Sequence, residues 1–278
     1  MSVQRLHYET FKSGSKTYFN SSLFFPAEVR RDVFALYGFV RVADNYVDAV
    51  PQDAEGFRGF RDSYRRALRA PGGEESSDPI IAAFVELSRR KAFAAAWTDA
   101  FLESMAMDLA DSGRRQYDRL EDTLRYIYGS AEVIGLFMAR IMDLPPEADF
   151  SAGRLGRAMQ YINFIRDMDE DRGLGRRYLP LADSGLQSLE PDHVRNHPAE
   201  FRAFVQRQLA LYRGWQGEAE AGYRFLPRRY RIPIKTAADM YNWTARQIER
   251  QPFVVFERKV KPSRGRILLR VLGNALGV

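Results

Sequence analysis

The sequence predicts an all-α protein, and three observations carry that prediction. Apolar residues recur every three or four positions through most of the 278 residues, the period of a helix with one buried face. Alternating apolar and polar segments, the mark of half-buried strands, are scarce. Clusters of Pro, Gly, Ser and Asp cut the chain into about seven or eight pieces of helical length.

In chain order the breaks fall at "FFPAE" around Pro26, at "APGGEESSDP" (70–79), at "DLPPEADFSAG" (143–153), across "YLPLADSGLQSLEPD" (178–192), at "FLPRRYRIP" (225–233) and at "KPSRG" (261–265). None is long enough for an interdomain linker, and no repeat or low-complexity tract is visible, so residues 1–278 read as one domain. With 45% hydrophobic residues the chain can bury a sizeable core. Cysteine is absent, which excludes disulfides and thiolate chemistry. No apolar run approaches the roughly 18 to 20 residues of a membrane span, and the first residues lack the apolar core of a signal peptide, so a cytoplasmic protein is expected. A net charge of +6 favours anionic partners without choosing among them. The basic, leucine-rich tail "RKVKPSRGRILLRVLGNALGV" leaves two readings open, peripheral contact with a membrane and a solvated last helix.

The informative helix follows Pro26, a residue suited to a first turn. Its apolar stripe, Val29, Val33, Leu36, Tyr37 and Val40, continues onto Asp44, Val47 and Asp48. Two carboxylates on an inward face are prohibitively desolvated unless cations or metals pair with them. A second segment repeats the pattern: Leu155, Met159, Asn163, Asp167 and Asp171 step by four, and a loop with Arg172, Arg176 and Arg177 around Gly173 and Gly175 follows. Two i,i+4 carboxylate pairs with no Cys or His at matching spacing point to hard divalent ions, and to Mg2+ where a phosphate shares the coordination, with Mn2+ as a substitute. Together they describe a cavity greasy inside and acidic at its mouth, suited to a hydrocarbon with a diphosphate head. A di-iron carboxylate bundle would need Glu-x-x-His motifs. His7, His193 and His197 stand in none and read as surface or helix-end residues.

At these residues the sequence resembles the squalene and phytoene synthase family, the head-to-head (1'-1) branch of the isoprenoid synthases, over nearly the whole chain. "YGFVRVADNYVD" is similar to its first aspartate-rich motif, "NFIRDMDEDRGLGRRYLP" to its second, and "YIYGSAEVIGLFMARI" (126–141) to its Tyr-x-Tyr and small-residue helix. The resemblance implies an isoprenoid-synthase-type helical bundle around a central cavity. Within the third motif Gly129, Ser130, Ala131 and Gly135 are small, although a helical glycine costs roughly 1 kcal/mol against alanine. A prenyl chain lying there would need the room; close helix packing is the other reading. Glu132 stands where family members often have glycine, so a different local lining is expected.

Carried over position by position, the resemblance implies that Asp44 and Asp48 hold Mg2+ on one diphosphate, with Asp167 and Asp171 on the opposite wall and Asn163 in support. Arg41 and Arg166 would neutralise phosphate charge. "SGSKTYF" resembles the family's Ser-Lys-Ser-Phe segment and makes Ser15 and Thr17 diphosphate contacts, with Tyr18 beside the hydrocarbon. Tyr241 and Arg258 match a tyrosine and an arginine that face the diphosphate, and Tyr126 a tyrosine near the reacting carbons. The implied activity is a prenyltransferase reaction, most like phytoene synthase acting on two geranylgeranyl diphosphates. The alternatives are squalene or dehydrosqualene synthase acting on farnesyl diphosphate, and a catalytically silent helical relative. The last would be marked by loss of metal aspartates, and all four are present. No nucleic-acid motif or protein partner is indicated.

Overall fold

The structure, a computed structural model, describes residues 25–70, 76–112 and 116–276. Ser15, Thr17, Tyr18 and His7 therefore lie outside the described residues. The regular elements of the described residues are all helical, with one isolated bridge between Gln116 and Arg177 in place of any sheet and a long irregular connection over 174–190.

Helix α1 (Ala27–Asp48) starts directly after Pro26, whose fixed φ suits a helix entry. Helices α2 (Ala54–Arg69) and α3 (Pro79–Arg90) are both capped by aspartate. Asp53 accepts from the Gly56 amide and Asp78 from the Ile80 amide, each at 2.8 Å. Helix α4 (Ala95–Met107) follows. Next comes one continuous rod of α5 (Leu120–Ile127), a π-helical turn (Tyr128–Glu132) and α6 (Val133–Ile141). Such π turns often mark functional sites. Helices α7 (Asp149–Arg166), α8 (Met168–Gly173), α9 (Pro191–Asn196), α10 (Pro198–Glu220), α11 (Arg228–Arg250) and α12 (Arg264–Leu276) complete the described elements.

Two apolar clusters hold these helices. One joins α1 to α4 with α6 through Phe39, Phe57, Phe84, Phe101 and Phe137, and the Phe39 and Phe84 rings stack at 4.0 Å. The other joins α5, α7, α10 and the segment around Val254 through Tyr126, Tyr161, Phe164, Phe204 and Tyr212. A buried ion pair ties α1 to α3, with Arg90 donating from both terminal nitrogens to Asp32 at 3.0 and 2.7 Å. Such a bidentate pair compensates the desolvation of a carboxylate only 2% exposed. No described helix is long and apolar enough to cross a membrane.

The segmentation differs from the sequence expectation in three places. The turn at 91–94 is unmarked by glycine or proline, because Ala92 itself takes a positive φ of 50°. The break expected across 225–233 is confined to its first residues, and Pro233 sits inside α11. There it forfeits one hydrogen bond near the helix start, which a 23-residue helix tolerates. The stripe from Leu155 to Asp171 is divided at Asp167, where φ is −99° and ψ 16°. The four-residue spacing survives because Asp167 N still bonds Asn163 O at 2.7 Å and Asp171 N bonds Asp167 O at 2.9 Å.

Candidate active site

A cavity of about 330 Å³ lies among α1, α6, α7 and α11. Its walls are almost wholly apolar: Val33, Leu36 and Val40 from α1, Ile134 and Met138 from α6, Leu155 and Met159 from α7, Ile234 and Ala237 from α11. It is at the small end of the roughly 300 to 1,000 Å³ of ligand pockets. Asn163 and Tyr241 line the end toward which α7 runs on to Asp167. On α1 the wall residue Val40 is followed one turn later by Asp44 and then by Asp48. Both stripes thus pass from apolar wall to carboxylate, as their spacing predicts.

The carboxylates are laced with cations. Arg41 Nη1 donates to Asp44 Oδ2 at 2.6 Å, and Arg166 Nε to Asp167 Oδ1 at 2.8 Å. Lys259 Nζ stands 3.3 Å from Asp167 and also pairs with Glu170. Arg176, from the loop after α8, reaches across to the other wall, donating to Asp48 Oδ1 at 2.6 Å and to the Val47 carbonyl at 2.7 Å. Burial and the charge of Asp48 push the Asp44 carboxyl up to about 6, against the pull of Arg41. Burial and Asp167 push Asp171 up to about 8, with Arg176 opposing. These are carboxylates held together with less positive charge than they need.

Between the two pairs sits a residue that no sequence pattern singled out. Asp108, 3% exposed at the C-terminal end of α4, accepts from Tyr126 Oη at 2.5 Å and from Tyr178 Oη at 2.6 Å, with Arg176 Nε 3.9 Å away. Burial raises its carboxyl above the ordinary range, while Arg176 and the two phenols hold it down. Its charge is felt at Asp44 and Asp171 alike.

Residues 11–266 match the family model described as squalene/phytoene synthase. The chain belongs to the squalene/phytoene synthase family. Members of that family are prenyltransferases. The chain is 31% identical to the 15-cis-phytoene synthase of Pantoea ananas, covering 96% of this chain and 90% of that one. It is 33% identical to the 15-cis-phytoene synthase of Enterobacter agglomerans, covering 82% and 80%. Among solved structures, a dehydrosqualene synthase in complex with ligand superposes with a TM-score of 0.83 at 21% identity, covering 99% of this chain and 96% of that one. The squalene synthase of Alicyclobacillus acidocaldarius gives 0.78 at 22%, covering 90% and 94%. These two likenesses establish the isoprenoid-synthase fold.

Family enzymes use a divalent metal with their diphosphate substrates. Among the described residues no three Asp, Glu or His side chains converge on one point. A divalent ion shared with substrate phosphates needs only one or two protein carboxylates and no all-protein cage. The donor set fits further: Asn163 Oδ1 is buried beside the second pair without a hydrogen-bond partner, and the raised carboxyls call for added positive charge.

The remaining expected residues fall as follows. Tyr241 lines the cavity beside Asn163; burial raises its phenol, with Arg166 and the Asn163 side chain opposing. Tyr126 is fully packed among Tyr117, Phe164 and Tyr178, its hydroxyl turned to Asp108. Arg258 is exposed, and its neighbour Lys259 joins Arg166 at the second pair. Glu132 does not line the cavity; it is drawn aside by Arg157 Nε at 2.7 Å. The small residues of the π turn and of the first turn of α6 serve packing as well as room. A Cβ on Gly129 would lie 2.0 Å from the Ala100 carbonyl oxygen, and one on Gly135 2.2 Å from that of Ala152. Ser130, Ala131 and Gly135 also line the cavity.

Proposed function

We propose that this protein is a phytoene synthase, joining two geranylgeranyl diphosphates head to head (1'-1) and releasing two diphosphates. The observation that carries the reading is the apolar cavity whose α1 and α7 walls both run out into paired aspartates. The phytoene synthases that match at 31% and 33% identity over most of both chains favour the twenty-carbon substrate. Squalene or dehydrosqualene synthesis from farnesyl diphosphate is the neighbouring reading, because the superposed structures carry those activities at about 21 to 22% identity.

Asp44 and Asp48 on one wall, and Asn163, Asp167 and Asp171 on the other, would hold Mg2+, which when bound neutralises charge developing on the departing diphosphates. Arg41, Arg166, Arg176 and Lys259 add preorganised positive charge around the same space. The C1–O bond of one substrate breaks, and diphosphate leaves with the electron pair. The 2,3 double bond of the second substrate attacks the allylic cation; loss of a proton closes the cyclopropyl ring of prephytoene diphosphate. A second ionisation, rearrangement and proton loss give the linear hydrocarbon, with no reductant required. Val33, Leu36, Leu155 and Met159 keep water from the cations. Tyr241, on the cavity wall beside Asn163, presents a phenol that stabilises cationic carbon without acting as a nucleophile. Tyr126, packed behind the wall with its hydroxyl on Asp108, is assigned a place near the reacting carbons on the family resemblance alone. Ser15, Thr17 and Arg258 are assigned to diphosphate contacts on the family resemblance alone. On this reading residues 1–278 form one cytoplasmic domain, with a membrane surface as its further partner.

Purified protein given Mg2+ and either geranylgeranyl or farnesyl diphosphate tests the reading through the mass of the extracted hydrocarbon. A forty-carbon product from the first substrate is expected; a thirty-carbon product alone transfers the chain to the neighbouring activity, and none from either overturns the proposal. Asp44→Ala and Asp171→Ala should each abolish turnover while leaving the fold intact.

A further inference from the structure

Helix α12 is amphipathic, yet it is mounted the wrong way round for a soluble protein. A surface helix normally turns its apolar stripe to the body and its polar face to water. In α12, Leu268, Leu269, Leu272 and Leu276 are 60%, 72%, 60% and 79% exposed, and no residue of the helix is buried. At 100° per residue these four leucines fall within one arc of about 100°. The opposite arc, Ile267, Arg270, Val271 and Asn274, faces α11 and is fastened there by polar contacts. Arg270 Nε donates to Asp239 at 2.7 Å. Asn274 Nδ2 donates to Asp239 at 2.9 Å and Thr236 at 3.0 Å, and Lys235 Nζ donates to Asn274 Oδ1 at 2.8 Å. The body thus spends hydrogen bonds on holding four leucines out into solvent.

We propose that this leucine face is the surface by which the protein docks onto an anionic lipid bilayer, with α12 lying in the plane of the headgroups. Charge selects the occupant. From Arg258 to Leu276 there are six Lys or Arg residues and no Asp or Glu. Lys261 and Arg264 are exposed beside the leucines, and their long stems let the charged ends reach phosphate while the leucines enter the acyl boundary. Arg266 instead lies over the Trp243 ring of α11, 4.9 Å from its centre. A second copy meeting this face would set one basic rim against another. Residues 1–24 carry three Lys or Arg against one Glu and so have the same sign as the rim. An anionic membrane complements both leucines and cations.

The location has a consequence for the reaction. The face of α11 away from α12 contributes Pro233, Ile234, Ala237 and Tyr241 to the cavity, so docked α12 sets the cavity wall about two helix diameters, roughly 20 Å, from the acyl chains. This purpose rests on the proposed function, since its product is a hydrocarbon soluble only in the bilayer; the docking surface itself stands on the geometry of α12.

Co-sedimentation of the full chain, without substrate, tests it. One set of vesicles is pure phosphatidylcholine, the other equal parts phosphatidylcholine and phosphatidylglycerol. Binding to the mixed vesicles is expected. It should weaken on the order of 100-fold in the Leu268→Ala, Leu269→Ala, Leu272→Ala triple variant and about 30-fold in Lys261→Gln, Arg264→Gln. Both variants should keep wild-type turnover in detergent micelles, which separates failure of the surface from failure of the proposed activity. Wild-type protein that stays with the supernatant, or a triple variant that sediments like wild type, overturns the proposal. So does a dimer by analytical ultracentrifugation that the triple variant dissolves.

Discussion

Removal of the Asp108 carboxylate is expected to cost the fold more than any other single change at the site. The carboxylate accepts two phenolic hydrogen bonds, at 2.5 and 2.6 Å, where it is 3% exposed. A hydrogen bond to a charged group contributes about 1.5 to 3 kcal/mol, and a buried polar group stranded by its loss costs a similar amount. Asp108→Ala strands the Tyr126 and Tyr178 hydroxyls and takes a counter-charge from Arg176. Set against the desolvation that the carboxylate itself no longer suffers, the net loss should be about 3 to 5 kcal/mol. Asp108→Asn keeps the shape and one acceptor oxygen, and should lose about 1 to 2 kcal/mol. Urea unfolding at neutral pH, compared at equal m-value, measures both. An alanine variant within about 1 kcal/mol of wild type would refute the hub. If Asp108 also positions Tyr126 and Arg176, kcat should fall in the folded asparagine variant while KM stays near wild type.

The raised carboxyls predict a pH effect on the metal-free protein. Asp171 near 8 lies above the ordinary carboxylate value of about 3.9, so the folded state binds its proton more tightly than the unfolded state. The stability this confers is complete below about pH 4 and is lost as pH rises through about 8; between about pH 6 and 8.5 the loss is up to about 2.5 kcal/mol. Chelator-treated Asp171→Asn should lack that slope in urea unfolding, and an unchanged slope would count against the assignment. Gly156→Ala should cost about 2 to 3 kcal/mol, because its Cβ would meet the Ala131 carbonyl oxygen at 2.2 Å. Gly59→Ala, with nothing within 4 Å, should stabilise α2 by up to about 1 kcal/mol in thermal unfolding. Ala152→Phe narrows the cavity about 16 Å along α7 from Asn163. It should lower turnover of geranylgeranyl relative to farnesyl diphosphate at least about tenfold, read by product mass.

The site was legible wherever its chemistry interrupted a local period. Asp44, Asp48, Asp167 and Asp171 declared themselves because each prolongs an apolar stripe that ought to have ended in a neutral residue. Asp108 carried no such mark: it is a single carboxylate at a helix end, and its partners lie 18 and 70 residues away in the chain. Asp32 was hidden for the same reason, its partner Arg90 being 58 residues distant. Gly129 in the π turn and Gly135 in α6 announced a need for space without saying whose. Backbone carbonyls of α4 and α7 claim much of it, a fact of tertiary packing with no local signal. The turn made by Ala92 escaped notice because its positive φ comes without the glycine that usually permits it.

The central claim, that the apolar cavity and the two carboxylate pairs form one site, is tested most directly by a crystal structure with Mg2+ and a non-ionisable thiolo analogue of geranylgeranyl diphosphate. The account predicts the prenyl chain between Leu36 and Met159, with its diphosphate and metal ions among Asp44, Asp48, Asn163, Asp167 and Asp171. A chain lodged elsewhere, or a diphosphate touching neither aspartate pair, would contradict it.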